Sequence, residues 1–369
     1  MIEDEARPAD PPPVLLQPGR ATTGGSVCPR WARRPSLRPR RTTVRVMQVM
    51  SKPIFESRLV YENIPGAPGA HGSTICQLAS GRLMASWYAG AHEGHKNVAI
   101  YGAYRRGDGP WSAPFVLEKC PNLSEGNPVL HSHPDGRVTL FWVTMYGDGW
   151  KTCKIKMRTS DGREGERLWG KERLYEDELG YMTRHKALVM SNGEILLPLY
   201  DEREWASFFA WSADGGETWQ RGDLLRSEPG NIQPTVVEIA DGHLVSLFRP
   251  EVKESHLWRA ESKDYGRTWT ALEPTEVPNP NSGSDMVRLK SGAIALVNNH
   301  AGRGRTPLSL YLSEDDARTF PIRKDLETDP GEYSYPAIIE DAEGLMQITY
   351  TYLRETIKHV TVSEDWLRD

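Results

Sequence analysis

The chain has 369 residues, with 45 Lys and Arg against 50 Asp and Glu, a formal charge of −5 and 38% hydrophobic content. That length suits one large domain or two small ones, and no apolar run approaches the length needed to cross a bilayer. Residues 1–49 hold nine Arg against four acidic residues, so this segment carries +5 and the remainder −10; an acidic body argues against nucleic acid as the main partner.

In chain order, residues 1–52 read as a disordered Arg/Pro-rich tail, or as an extension upstream of a protein starting at Met47 or Met50. The run Arg30 to Arg45 imitates a transit peptide or a polyanion-binding arm. Val14-Leu15-Leu16 is too short for a signal-peptide core. Four cysteines (Cys28, Cys76, Cys120, Cys153) form no Cys-x-x-Cys pair, so the expectation is a reduced, cytoplasmic protein.

From residue 53 to 369 the chain repeats. Two-residue turns ending in Gly81, Gly136, Gly193, Gly242, Gly292 and Gly344 each join two apolar runs, and Asp108, Asp161, Asp214, Asp264, Asp315 and Asp365 keep step with them. A period near 50 made of short strands predicts an all-β fold, a six-bladed β-propeller of four-stranded antiparallel blades. The fourth repeat shows the unit. Pro234–Ile239 runs to Asp241-Gly242, read as a type I′ turn; His243–Phe248 returns, Leu257–Glu261 follows, and an outer strand begins after Trp269. The sixth repeat stops at Asp365-Trp366-Leu367, before its outer strand. Phe55–Glu62 resembles the outer strands Phe115–Glu118 and Arg173–Glu176, so the N-terminal strand is expected to close the ring on the last blade.

The element Ser-x-Asp-x-Gly-x-Thr-Trp stands intact at 212–219 and 262–269 and degraded at 313–320. It resembles the Asp-box, and from about residue 55 onward the chain is similar to the sialidase (neuraminidase) superfamily of six-bladed propellers. In that family the boxes are structural, which removes Asp214 and Asp264 from the catalytic candidates. The site is expected where inner strands begin, around His71, Asn127, Arg184-His185-Lys186, Gln233, Asp285 and Tyr333-Ser334-Tyr335.

Sialidases hold the sugar carboxylate with three Arg, and the resemblance places two of them at Arg249 and Arg305. His71 stands where the first is expected. Tyr333 resembles the nucleophilic tyrosine, and Gln233 occupies the place of its Glu partner. Gln cannot take a proton, so another base such as Glu202 or Glu93 is required. Glu93, in His92-Glu93-Gly94-His95, falls nearest the general acid. Arg184, Lys186, Asn127 and Tyr335 complete the candidate substrate-binding set. The spacing of His92 and His95 matches no zinc pair, and no metal or cofactor is expected.

Three readings follow. The first is an exo-acting glycoside hydrolase acting on a terminal acidic, sialic acid-like sugar. The second is a uronate-directed glycosidase or lyase, with Arg249 or Lys186 neutralising the carboxylate, His71 or His185 as base and Tyr333 as acid. The third is a carbohydrate-binding propeller without catalysis. In each the partner is a sugar bearing a carboxylate, with neither nucleic acid nor membrane involved; assembly is not legible from the sequence.

Overall fold

Short apolar runs separated by turns leave the chain only hairpins to form, and it forms them throughout. The computed structural model describes residues 53–160, 169–253 and 255–369. The tail expected over residues 1–52, and Asp161 of the Asp series, lie outside the described residues.

Six antiparallel sheets follow one another, making a six-bladed β-propeller. In the first blade Gly69–Gln77, Leu83–Gly90, Ala99–Arg105 and Phe115–Glu118 run from the axis outward. The next blades begin at Ser124–Ser132, Tyr181–Thr183, Asn231–Ala240, Asp285–Arg288 and Tyr333–Glu340. The third departs from the pattern. Its inner strand is split into Tyr181–Thr183 and Leu188–Val189, both paired to Ile195–Asp201, so that Arg184, His185 and Lys186 leave the ladder.

Second strands such as Val138–Met145 and Ile294–Asn299 are buried along their whole length. Both faces are covered by neighbouring blades, which is why these strands read as apolar runs rather than alternating ones. The core is accordingly six clusters, one in each interface between adjacent blades.

Phe55–Leu59 pairs with Thr356–Val362, Phe55 facing Val362 and Leu59 facing Lys358, and the Phe55 ring stacks on Trp366 at 4.7 Å. The ring is closed by its first strand, which removes an open sheet edge.

The Asp-boxes are turn scaffolds. Asp214 accepts from the backbone N–H and hydroxyl of Thr218 at 2.9 and 2.6 Å, Ser212 Oγ accepts from the Gly216 N–H at 2.8 Å, and Trp219 Nε1 donates to the Gly216 carbonyl at 3.1 Å. The degraded box keeps this geometry with Ala317 held at φ 58°.

One turn differs from expectation. At Asp241-Gly242 only the glycine has positive φ (67°), whereas a type I′ turn requires it at both positions. Five of the other glycine turns close as a four-residue turn followed by a left-handed Gly, as in Gly81 N–H to Leu78 O and Leu78 N–H to Arg82 O, both 2.8 Å. That is the type I turn with a G1 bulge.

Candidate active site

Inner strands aim side chains at the axis by breaking their own register. The ladder slips between His71 and Thr74, Gly126 and Val129, Ile232 and Thr235, and Ser334 and Ala337. At each slip one residue takes positive φ: Gly72 (65°), Asn127 (44°), Gln233 (54°) and Tyr335 (53°). Such bulges re-aim a side chain, and a non-glycine residue in this region costs on the order of 1 kcal/mol or more, held by its surroundings.

A second ring of groups comes from the connections between the second and third strands. Glu93, Trp150, Glu202, Arg305 and Arg354 arrive this way from blades one, two, three, five and six, and Arg249 joins them from the end of the second strand of blade four. All six, with Asn127, Gln233 and Tyr335, line one cavity of about 200 Å³.

Tyr335 is its centre. Its hydroxyl accepts from Arg249 Nη1 at 2.7 Å and from Gln233 Nε2 at 3.5 Å. Arg249 Nη1 also donates to Gln233 Oε1 at 3.1 Å, which fixes the amide so that its NH₂ group faces Tyr335 and Tyr200. With both lone pairs accepting, the phenol has only the cavity left to receive its own proton. The Arg184, Arg249 and Arg305 guanidiniums lie 5.0, 5.7 and 5.1 Å from the ring centre. Burial alone would raise this phenol's pKa, but the Arg249 and Arg305 charges and the Gln233 bond outweigh it and hold it below its ordinary 10.0.

Arg184 lies beneath the tyrosine and is 1% exposed. It donates to three carbonyls, Ser73 at 3.0 Å, Tyr335 at 2.6 Å and Pro336 at 3.2 Å. No carboxylate is among these partners, so its charge remains to favour an anion on Tyr335.

Carboxylates organise the other two arginines. Glu332 Oε1 bridges Arg354 Nε at 2.6 Å and Arg305 Nη1 at 3.3 Å. Glu93 pairs with Arg354 Nη1 and accepts from Trp150 Nε1 at 3.1 Å. The Glu202 carboxyl is pushed up to about 7, first by burial, with the Asp201 and Glu93 charges adding to it and Arg249 and Lys151 opposing. A group with that pKa can give or take a proton near neutrality.

The BNR repeat-like domain family matches residues 81–348 of this sequence. The chain belongs to that family. No curated protein sequence matches it. Among solved structures, the Hadza microbial sialidase Hz136 superposes with a TM-score of 0.72 at 16% identity, over 84% of this chain and 69% of that one. NanB sialidase from Streptococcus pneumoniae gives 0.71 at 15%, over 84% and 71%. A leech intramolecular trans-sialidase, complexed with 2,7-anhydro-Neu5Ac, gives 0.71 at 15%, over 85% and 71%. At these identities the likeness concerns the fold.

Within this BNR repeat-like propeller the expected site residues separate. Arg249, Arg305, Glu93, Gln233, Asn127 and Tyr335 meet at the cavity. Tyr333 does not. It is 2% exposed, belongs to the cluster between blades five and six, and packs on Tyr352 with ring centres 5.3 Å apart. The bulge between Ser334 and Ala337 turns Tyr335, two residues on, toward the axis instead.

His71 is enclosed rather than presented to a ligand as a cation. Its Nδ1 lies 2.8 Å from Thr351 Oγ1 and its ring 4.1 Å from that of Tyr335. Burial, and then the charges of Arg354, Arg305, Arg184 and Arg249, hold it well below the ordinary histidine range, so the imidazole is neutral. Arg354 supplies the third guanidinium, from a place the inner-strand starts do not include. Its signal in the sequence was positional: it stands in the same connection of its blade as Arg305 and Glu202 do in theirs.

Lys186 is structural. Its ammonium contacts both Asp285 oxygens at 2.9 and 2.8 Å and the Met286 carbonyl at 2.8 Å. Asp285 also accepts from Thr235 Oγ1 and the Ile338 N–H, so this buried cluster joins blades three to six. His185, bonded to the Pro234 carbonyl and lowered by burial to about 3, is neutral as well. Among the described residues no group of three or more His, Cys, Asp or Glu is arranged to hold a metal ion, and no helix is long and apolar enough to cross a membrane.

Proposed function

We propose that this chain is an exo-acting glycoside hydrolase that removes a terminal sugar bearing a carboxylate. The observation that carries the reading is the gathering of Arg249, Arg305 and Arg354 around one cavity whose floor is the Tyr335 hydroxyl. Forked guanidinium donors suit a planar carboxylate, and a cavity of about 200 Å³ suits one sugar ring rather than a chain.

Tyr335 gives its proton to solvent through the cavity, its anion favoured by Arg249, Arg305, Arg184 and Gln233, and its oxygen attacks the anomeric carbon while the leaving oxygen takes a proton from Glu202. Water then attacks the glycosyl-tyrosine, Glu202 takes its proton, and the phenolate leaves. A phenol, uncharged until it reacts, suits an acidic substrate better than a standing carboxylate would, and the surrounding cations favour the anion as it forms. Glu93 lines the same cavity but would have to give up Arg354 before acting as the acid.

A second reading, β-elimination from a uronic acid, uses the same groups, with the Tyr335 phenolate taking the proton beside the carboxylate. Gln233 favours it, because a residue that cannot accept the tyrosine's proton leaves Tyr335 free to exchange it with the substrate. Incubation with an aryl sialoside and with uronate-capped oligosaccharides separates the two. Released aglycone, lost in Tyr335→Phe, supports hydrolysis. New ultraviolet absorbance from a double bond supports elimination. Neither signal, with measurable sugar binding, would leave a binding propeller.

A further inference from the structure

A third set of groups reaches the axis from neither the inner strands nor the second-to-third-strand connections. It comes from residues 280–284, which join the outer strand of blade four, Glu273–Asn279, to the first strand of blade five at Asp285. We propose that Asn281, in this connection, is a positioning residue that holds the Arg249 guanidinium with one side of its fork on Tyr335 and the other toward the ligand. For its effect on rate, this inference rests on the reaction proposed above.

The contacts divide the donors of Arg249. Asn281 Oδ1 accepts from Arg249 Nε at 2.6 Å, and its Nδ2 donates to the Glu251 carbonyl, so one amide grips the chain on both sides of Pro250. The two Nη1 protons go to the Tyr335 hydroxyl at 2.7 Å and to Gln233 Oε1 at 3.1 Å. Nη2 has no partner among the described residues, and this donor is left for a ligand in the cavity that Arg249 lines. A planar guanidinium held at Nε and Nη1 cannot turn about its stem. Without the Nε bond it can, and Nη1 then leaves the hydroxyl.

Asn281 is itself held in place. Its φ is 63°, in the left-handed region that Asn enters more readily than most side chains. The turn around it is tied by two buried amides. Asn279 accepts from the Ser282 N–H at 2.9 Å and donates to the Ser282 carbonyl at 2.9 Å and to Asn298 Oδ1 at 2.8 Å. Asn298, from the second strand of blade five, donates in turn to the Pro278 carbonyl at 2.9 Å. Satisfied buried networks of this kind are rigid. A line of amides therefore runs from blade five to the Arg249 of blade four.

The same connection also touches the other donor to the tyrosine. A Cβ added at Gly283 would stand 3.0 Å from Gln233 Oε1 and 3.7 Å from the Tyr335 ring. Residues 281 and 283 thus border Arg249 and Gln233, the two groups that donate to the Tyr335 hydroxyl. The charged groups acting on this phenol are Arg184, Arg249, Arg305 and Glu93, with the neighbouring His71 neutral. Arg249 is the one of these bonded to the hydroxyl, so a residue acting through Arg249 is read out at Tyr335.

The test uses the full chain with Asn281→Gly, Arg249→Met and the double variant. Glycine keeps the positive φ and removes the amide, so the turn is expected to persist. Ionisation of Tyr335 is followed by ultraviolet difference absorbance against the matching Tyr335→Phe variants. Asn281→Gly should move the midpoint about one pH unit upward, as loss of a bond from a charged group implies. It should add nothing in the Arg249→Met background, because the effect passes through Arg249. On an aryl sialoside, kcat should fall on the order of tenfold with KM within about twofold, since Nη2 still reaches the carboxylate. An unmoved midpoint, an equal rise with and without Arg249, or a raised KM at constant kcat overturns the positioning role. The midpoint needs no substrate. If wild type leaves the sialoside intact, the proposed reaction fails, and the titration alone decides the role of Asn281.

Discussion

Arg249 donates to the Tyr335 hydroxyl at 2.7 Å, and this contact separates two tyrosines that stand two residues apart. Tyr335→Phe is expected to lower kcat/KM on the order of 10³-fold or more without loss of fold, since the attacking oxygen is gone. Tyr333→Phe should leave activity within about twofold. Tyr333→Ala, by emptying the core between blades five and six, should cost about 3–5 kcal/mol in urea unfolding. Retention of activity in Tyr335→Phe would remove the tyrosine from the chemistry.

Arg354 holds Glu93 and Glu332 before any substrate arrives. Arg354→Met should raise KM for a carboxylate substrate on the order of 30- to 100-fold, the worth of a charged hydrogen bond pair. With the methyl ester of the same substrate, wild type and variant should converge. A variant that loses equally on acid and ester would show that Arg354 acts on the loop of Glu93 rather than on the carboxylate.

The blade count and the closing strand Phe55–Leu59 were legible because both rest on local, repeated chemistry: apolar alternation, Gly turns and an outer-strand pattern seen twice elsewhere. Arg249 and Arg305 were legible through motif resemblance. That Tyr335 rather than Tyr333 meets the cavity was not, because a bulge at Ser334/Ala337 reverses which face a residue takes, and nothing in Tyr-Ser-Tyr-Pro announces it. The ring of second-to-third-strand connections was legible only in part. Glu93 and Glu202 stood out as carboxylates, but Trp150 and Arg354 share with them a place in the repeat and not a residue type or fixed spacing, so the period marks the position without marking these residues as one site.

Glu202 gives a pH signature of definite sign. Its carboxyl rises from an ordinary 4.5 to about 7 in the folded state. Between those values the unfolded chain has released the proton and the native chain still binds it, so Glu202 makes stability fall as pH rises from about 4.5 to 7, with a constant penalty above. The penalty is at most about 3 kcal/mol, less where solvent enters the cavity. Glu202→Gln should therefore be more stable than wild type at pH 8 and about equal at pH 4, as read from urea midpoints. It should also flatten the limb of the pH–rate profile near 7. A wild type that gains stability on Glu202 across this window would contradict the burial argument.

The closing strand is a matter of stability rather than chemistry. A chain starting at Met50 keeps Phe55–Leu59 on Thr356–Val362, and its melting temperature should lie within about 2 °C of the full chain. A chain starting after Glu62 loses that strand together with Val60 and Tyr61 from the core between blades six and one. It leaves Thr356–Val362 as an open edge, a template for intermolecular pairing. Aggregation on expression, or a broad low-temperature melt in circular dichroism, is expected; cooperative unfolding at the full-length temperature would show that closure contributes little.

Gln233→Glu asks how Tyr335 is activated. The amide now accepts from Arg249 and donates to the phenol oxygen. A carboxylate in its place would keep the first bond and reverse the second, drawing the phenol's proton inward. Its charge would also oppose a neighbouring phenolate. If the nucleophile is a phenolate formed before substrate binds, Tyr335 should titrate at higher pH in the variant, measured by absorbance at about 295 nm against Tyr335→Phe, and turnover at neutral pH should fall about tenfold. A rise in turnover, with a new acid limb at the carboxylate's own pKa, would show that an inward proton acceptor activates the tyrosine better than the surrounding cations do. The amide would then be the slower of two solutions on one scaffold.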